Sequence, residues 1–286
     1  MNMEQKYSVL MSVYINEKPD RFVQALNSML EQTVSPDQVV IVQDGPVSDV
    51  LKVVLEQYQN EYPDLITVLV NEQNLGLGPS LNRGLLECRN ELIARMDSDD
   101  VSRKDRIEKQ LKMFEENESL SICGGVIREF LEDDMSDTQG YRVCPETDEE
   151  LKEFMKERCP FNHMTVMYKK SEVVKAGNYQ DLHFNEDYLL WIRMAEAGCT
   201  FANINEVLVD VRVGKDMYKR RGGEEYFQSE KKIQDIMLEN GMITEQLYNR
   251  NMLKRKIVEK WMTPTIRGWV FKRAARRKDF DEEEAE

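Results

Sequence analysis

Histidine is scarce in this chain, with two residues in 286, so a zinc centre built on imidazole ligands has little to draw on. Cysteine offers no framework either. Cys88, Cys123, Cys144, Cys159 and Cys199 are odd in number and irregularly spaced, with no Cys-x-x-Cys pair. They are expected as reduced thiols in a cytoplasmic protein. No run of about 18 apolar residues occurs, which excludes a membrane-spanning helix. Residues 1–7 lack the charged and apolar regions of a signal peptide. No Gly-x-x-x-x-Gly-Lys-Ser/Thr loop is found, which argues against phosphoryl transfer. A nucleophile elbow and a reactive-cysteine arrangement are missing too, which argues against a covalent enzyme intermediate.

What the chain has in quantity is charge. Charged residues make up 32% and hydrophobic ones 41%, a soluble globular profile in a length that suits one large domain or two modest ones. The formal net charge of −14 is unevenly spread. Residues 250–278 hold eleven Lys or Arg against Glu259, a net +10, and residues 279–286 carry −6. Residues 1–249 therefore carry −18. An acidic body repels nucleic acid, so no nucleic-acid partner is expected, and the basic stretch needs its own explanation.

Hydrophobic patterning alternates between strand and helix. Residues 7–14 are rich in β-formers and predict a buried first strand. Pro19 then stands where a helix's first turn tolerates it, and Phe22, Ala25, Leu26, Met29 and Leu30 recur at helical spacing. A strand over 38–43, a helix over 48–62 and a strand over 65–70 repeat the unit. An α/β fold with a mostly parallel sheet follows. Further on, an amphipathic helix is expected between 101 and 117 and a strand over 120–131. Gly124-Gly125 there would permit a bulge or a close backbone approach. Thr147 and Glu150 have capping-box spacing.

The densest chemistry lies at 91–100, where the apolar run 92–96 stops at Asp97-Ser98-Asp99-Asp100. Three carboxylates at one strand end raise one another's pKa unless something compensates. A hard divalent cation such as Mg²⁺ or Mn²⁺ would do so, and ligands of parallel sheets bind beyond the carboxyl ends of their strands. The alternative is that Ser98-Asp99 simply caps the next helix. Upstream, Asn74-Leu75-Gly76-Leu77-Gly78-Pro79 opens a helix as a ready anion site. It also resembles a dinucleotide fingerprint, with Asp97 standing 19 residues after Gly78, but Leu81 replaces the third glycine. An NAD-dependent oxidoreductase is thus a competing reading, which the extra carboxylates beside a bare pyrophosphate disfavour. Asn185-Glu186-Asp187 starts a helix whose Leu189, Leu190, Ile192 and Met194 bury it, so two acids face inward at its N-terminus.

In order, Tyr14-Ile-Asn-Glu17, Asp44-Gly45, Asn74-Leu-Gly76, Asp97-Ser98-Asp99-Asp100 and Glu186-Asp187-Tyr-Leu-Leu-Trp191-Ile-Arg193 resemble glycosyltransferase family 2. The likeness runs from about Tyr7 to Gly223, and Met217-Tyr-Lys-Arg220-Arg221-Gly222-Gly223 resembles bacterial polysaccharide and capsule members. The resemblance implies a GT-A fold: a Rossmann-like, mostly parallel sheet flanked by helices. It also implies inverting transfer of a sugar from a nucleotide donor, with Mn²⁺ or Mg²⁺. A nucleotide-sugar-binding half would occupy 1–100, an acceptor-binding half 101–223 and a helical extension 224–286. Asp44 would accept the N–H of a base, usually uracil. Asp97 would contact donor ribose or sugar, and Asp99 would hold the metal. Tyr14, Glu17, Asn74, Gly76 and Ser98 would line the donor site. Arg83 would touch phosphate or stand as a solvated helical residue, and His163 would be structural or contact substrate. Asp187 would be the general base toward the acceptor hydroxyl, and Glu186 would position the acceptor or Asp187.

A non-catalytic nucleotide-sugar sensor would need Asp44 and the acidic cluster but would have no use for Asp187. The acceptor implied by the resemblance is a saccharide, free or lipid-diphosphate-linked, at the cytoplasmic face of the membrane. Residues 264–278 mix Ile266, Trp269, Val270 and Phe271 with five Lys or Arg between Lys272 and Lys278. That composition suits peripheral contact with an anionic membrane. The alternative is that these cations pair with the acidic body or the acidic tail.

Overall fold

Tyr7, Val9, Met11 and Val13 alternate with Ser8 and Leu10 along the first strand, and the alternation places them on opposite faces of a sheet. The computed structural model, which describes residues 6–214, 222–274 and 276–281, bears this out with one apolar cluster on each face. The parallel half of the sheet runs β3 (Ile66–Val70), β2 (Gln38–Gln43), β1 (Tyr7–Val13), β4 (Leu92–Arg95). It continues through β8 (Met167–Lys169), β6 (Leu120–Leu131), β9 (Thr200–Val213) and β5 (Val101–Ser102), with β7 (Asp134–Arg142) paired to β6. Antiparallel β8 joins β4 to β6, so one sheet crosses residue 100 without a break.

Helices α1 (Pro19–Leu30), α2 (Asp49–Glu61) and α4 (Arg106–Glu116) cover one face through Phe22, Leu26, Leu51, Leu55, Ile107 and Phe114. The other face is covered by α3 (Leu77–Glu87), α5 (Asp148–Met155), α6 (Lys170–Lys175) and α7 (Glu186–Glu196), with Leu81, Leu85, Leu151, Val173, Leu190 and Trp191 inside. Thr147 and Glu150 form both bonds of the expected capping box at α5. Gly84 lets α3 lie against the sheet, since a Cβ there would come within 2.4 Å of Leu10 and 2.8 Å of Val42. That contact fixes where the N-terminus of α3 points.

The structure departs from the sequence reading after Asp100. The helix expected from 101 begins only at Arg106, because Val101 and Ser102 first pair with Asp210 and Val209 of β9. Ser98 and Asp99 therefore cap no helix. The glycines Gly124 and Gly125 serve both expected roles. Cβ atoms there would strike Asn203 and Leu208 at 2.5 Å, and the β6–β9 register shifts beside them.

Beyond Gly223, α8 (Glu224–Glu239) buries Ile233 and Met237 against the α7 side. α9 (Glu245–Arg255) runs into a π-helical turn, Lys256–Trp261, and α10 (Pro264–Ala274) follows. The basic stretch is largely anchored. Lys254 pairs with Glu157 at 3.0 Å, Arg255 with Glu230 at 2.8 Å and Lys260 with Glu224 at 2.7 Å. Arg267 donates to the carbonyls of Val258, Glu259 and Met262, satisfying the end of the preceding helix. Arg276 forms a buried ion pair with Glu129 of β6 at 2.5 Å, and Arg277 exchanges backbone bonds with Tyr141 of β7. Left on the surface are Leu253, Ile257 and Trp261 on one helix and Ile266 and Trp269 on the next, the two tryptophans 65% and 61% exposed. The motif at 217–223 lies for the most part outside the described residues.

Glu259 is buried beside Glu230, Arg255 and Arg267, and one of its carboxylate oxygens has no hydrogen-bond partner among the described residues. Burial first, then Glu230, pushes its pKa from 4.5 up to about 8. The folded chain thus keeps a proton that the unfolded chain releases, and this residue lowers stability as pH rises across that window. Glu259→Gln removes the slope. Urea denaturation at several pH values should show the variant gaining on the wild type by up to about 1.4 kcal/mol per pH unit between those limits. Parallel stability profiles would contradict the assignment.

Candidate functional site

The carboxyl ends of β1, β2 and β4 lie side by side because these strands are parallel neighbours. Each is followed by a turn that carries expected site residues. After β2, Asp44 is buried and its carboxylate is heavily engaged. Its Oδ1 accepts from Asn71 at 3.0 Å and from the Leu75 N–H at 2.7 Å, and its Oδ2 accepts from the Gly76 N–H at 2.9 Å. Asn74 donates to the Asp44 carbonyl at 3.3 Å. Gly45 has φ +83° and a Cβ there would lie 2.6 Å from the Asn74 nitrogen, so only glycine lets the two loops meet. The N–H groups that a dinucleotide fingerprint would offer to pyrophosphate are thus turned to Asp44. Arg83 donates to the Val70 carbonyl at 2.7 Å and to the Asn71 side chain, which places it in the loop scaffold. Asn71 also donates to Ser80 at 3.0 Å. Sequence reasoning missed Asn71, and its only signal was its place at the end of β3.

After β1, the Tyr14–Glu17 turn leaves Tyr14 exposed and buries Glu17. Glu17 accepts from the Ser98 hydroxyl and from the Lys18 N–H. After β4 comes the acidic turn. Asp97 forms an ion pair with buried Arg95 at 2.5 Å. Asp100 accepts from the Arg212 N–H at 2.8 Å, and the Arg212 side chain donates to the Asp99 carbonyl at 3.0 Å. Asp100 is therefore spent on docking the turn to β9, and the three acids do not converge. Burial, then Asp97 and Glu17, push the Asp99 carboxyl up to about 7.

Asp99 thus stands in excess negative charge, which a cation would relieve. Its hard oxygens suit Mg²⁺ or Mn²⁺, ions that take one or two protein carboxylates when phosphates supply further ligands. No three His, Cys, Asp or Glu groups among the described residues form a cage by themselves. Asp99 fits a divalent cation that draws its other ligands from outside the protein.

On the far side of the cleft, Gly78 at the start of α3 faces Glu186 at the start of α7; a Cβ on Gly78 would lie 3.5 Å from that of Glu186. Asn82 and Tyr179 exchange two hydrogen bonds, 2.6 and 2.9 Å, that hold this approach. Burial, then Asp187, push Glu186 up to about 7. Asp187 is raised too, chiefly by burial, and it accepts from the Tyr188 N–H at 2.7 Å and from the Cys159 thiol at 3.6 Å. His163 bonds Tyr179 at 3.0 Å and packs edge-on to Trp191. Burial and Arg95 hold it well below its ordinary pKa, so it is a neutral member of an aromatic cluster. Asp97 and Arg95 both bear electrostatically on Glu186, so the acidic turn and the start of α7 are neighbours.

Comparison with known proteins gives this cleft a context. The family model described as "Glycosyl transferase family 2" matches residues 8–173. The amylovoran biosynthesis glycosyltransferase AmsE of Erwinia amylovora is 38% identical over 245 residues, 85% of this chain and 90% of the relative. The UDP-Gal:alpha-D-GlcNAc-diphosphoundecaprenol beta-1,3-galactosyltransferase of Escherichia coli is 37% identical over 273 residues, 95% of this chain and 97% of the relative. Among solved structures, S. aureus TarS 1–349 in complex with UDP superposes with a TM-score of 0.63 at 18% identity, covering 93% of this chain and 74% of that one. The mannosyltransferase PcManGT from Pyrobaculum calidifontis, in complex with GDP-Man and Mn²⁺, gives 0.64 at 14% identity, covering 97% and 77%. The fold is that of the GT-A glycosyltransferases.

The Asp44 network yields a test that needs no ligand. Asp44→Ala leaves the N–H groups of Leu75 and Gly76 without their acceptor and should cost about 1.5–3 kcal/mol of stability in chemical denaturation. A residue that only read a base would leave the stability of the free protein unchanged.

Proposed function

The chain belongs to glycosyl transferase family 2, and from that membership we propose that it moves a sugar, with inversion, from a uridine diphosphate sugar to a saccharide or lipid-diphosphate-linked acceptor in surface polysaccharide assembly. The single observation behind the chemistry is the nearness of two acid groups: Asp97, paired with buried Arg95, bears on Glu186 at the start of α7, beside Asp187. The donor and acceptor classes are supported by the uridine nucleotide in the TarS complex and by the substrate in the E. coli relative's name.

In this reading Asp44 keeps the Leu75–Gly76 loop closed and uses its remaining acceptor capacity for the base N–H. Asp97 contacts the ribose or the sugar, and Tyr14, Glu17, Asn74, Gly76 and Ser98 wall the donor pocket. Asp99 holds Mn²⁺ or Mg²⁺, which when bound neutralises the departing diphosphate. Asp187 takes the proton from the acceptor hydroxyl as that oxygen attacks the anomeric carbon from the face opposite the leaving group. Glu186, protonated over part of the neutral range, orients the acceptor. A non-catalytic sensor would gain nothing from Asp187 in this cleft.

Contact with the cytoplasmic face of an anionic membrane belongs to the same proposal, on a narrower surface than composition implied. Arg267 and Arg276 are committed inside the protein. The docking surface is instead Leu253, Ile257 and Trp261 with Ile266 and Trp269, where Lys256 and Arg273 lie over the two indole rings. Exposed aromatics beside cations are the chemistry of an anionic interface, at about 1 kcal/mol per surface cation.

Two variants separate binding from chemistry in a screen of nucleotide sugars that reads released nucleoside diphosphate. Asp99→Ala should abolish metal-dependent donor turnover, and full activity in that variant or in excess chelator would remove the metal from the scheme. Asp187→Asn should keep donor affinity and lose transfer by about a hundredfold or more. Near-normal transfer would move the base to Glu186.

The membrane contact is checked by co-sedimentation with phosphatidylglycerol vesicles. Binding should weaken as salt rises and fall away in an Ile266→Ser/Trp269→Ser variant. Failure of the wild type to sediment at any salt concentration would leave the segment as an intramolecular clamp.

A further inference from the structure

Asn185 stands at the cap position of α7, where an asparagine side chain ordinarily accepts the N–H of the second or third helical residue. Here it makes no such bond. Asn185 is 4% exposed, and its Nδ2 instead donates to Ser229 Oγ of α8 at 2.9 Å. The buried Ser229 hydroxyl donates in turn to the His183 carbonyl at 2.6 Å. Phe184, between these two residues, is held at φ +75°, a conformation that residues with a Cβ avoid. Its ring lies 5.4 Å from that of Tyr226, also on α8. The third helical residue is Tyr188, and its N–H goes to Asp187 Oδ1 at 2.7 Å. The donor that a capping Asn185 would claim is thus the one that orients Asp187.

The helical extension also braces the chain on the other side of Asp187. Asn251 of α9 donates to the Lys156 carbonyl at 3.0 Å and to Gln234 of α8 at 2.9 Å, and Arg255 donates to the Glu157 carbonyl at 2.9 Å. Just beyond that segment stands Cys159, whose thiol lies 3.6 Å from Asp187 Oδ2.

We propose that Ser229 is a positioning residue for transfer: by holding Asn185 away from the start of α7 it leaves the Tyr188 N–H to Asp187, and so fixes the direction in which that carboxylate faces the acceptor. The proposal rests on the reading of Asp187 as the base. Two side chains compete for one backbone N–H, and the hydroxyl on α8 decides between them. Without that hydroxyl, Asn185 loses the acceptor for its Nδ2 and turns to the cap that its residue type favours. Asp187 then loses its N–H partner and moves out of line with the acceptor. Removing Asn185 as well removes the competitor, so a second substitution repairs the first.

The test measures kcat with the donor and acceptor pair found active in the nucleotide-sugar screen, together with UDP affinity and urea stability. The variants are Ser229→Ala, Asn185→Ala, the double variant Asn185→Ala/Ser229→Ala, and Asp187→Asn. Ser229→Ala should lose kcat by about tenfold or more and keep its affinity for UDP, since misplacing a reacting group by about 1 Å is enough for such a loss. Asn185→Ala and the double variant should both stay within about threefold of the wild type, a strong departure from additivity. A purely structural role predicts that the two substitutions add, with the double variant at or below Ser229→Ala in both kcat and stability. That result, or wild-type turnover in Ser229→Ala, overturns the proposal. If circular dichroism shows that Ser229→Ala does not fold, Ser229→Cys, of nearly the same size and a weaker acceptor, carries the same contrast. Retained transfer in Asp187→Asn overturns the parent reading, whereas an inactive Asp187→Asn beside an additive double variant overturns only the role of Ser229.

Discussion

A buried guanidinium, Arg95, pairs with Asp97 and bears on Glu186 and Asp187. Glu17, Asp97, Asp99, Glu186 and Asp187 lie at or beside strand and helix ends, and burial pushes Glu17, Asp99, Glu186 and Asp187 toward the neutral acid. Arg95 sits among them at the end of a central strand, where the sheet fixes its backbone. A second arginine, Arg212, fastens the acidic turn to β9 from outside. The turn is held by cations on both sides, yet burial and its acidic neighbours still push Asp99 up to about 7. Stability would be served as well by apolar residues here, so the retained charges point to chemistry.

Much of the fold was legible because its driving force is periodic. β1 and β2 are short apolar runs, α1 an apolar stripe at helical spacing, and α5 a capping box, all local signals that the sheet then uses unchanged. What the sequence hid was pairing across distance. β7 consists mainly of polar, exposed residues, and its strand character comes from β6 beside it. The helix expected after Asp100 begins late because β9, more than a hundred residues away, captures Val101 and Ser102.

The site divides in the same way. Residue types gave the acids at 97–100 and at 186–187, since paired carboxylates at the ends of apolar segments are rare without a use. Partners were not legible. Nothing in Asp44-Gly45 announces that this carboxylate will hold the Leu75–Gly76 backbone, and nothing in the spacing of Arg83 says that it will brace the end of β3. Those roles depend on which loops the parallel sheet brings together. The basic stretch shows the limit of composition most clearly, because Arg267 and Arg276 count as surface cations in the sequence and act as interior donors in the fold.

The ion pair between Glu129 and Arg276 has a consequence for how the protein is made. Glu129 is 1% exposed in β6, and its cation lies far along the chain. During synthesis β6 and β7 leave the ribosome before Arg276 does, so this ion pair forms only once the later segment has emerged. The closure of this region therefore depends on the return of residues 276–280 onto β7 as well as on the order of the strands.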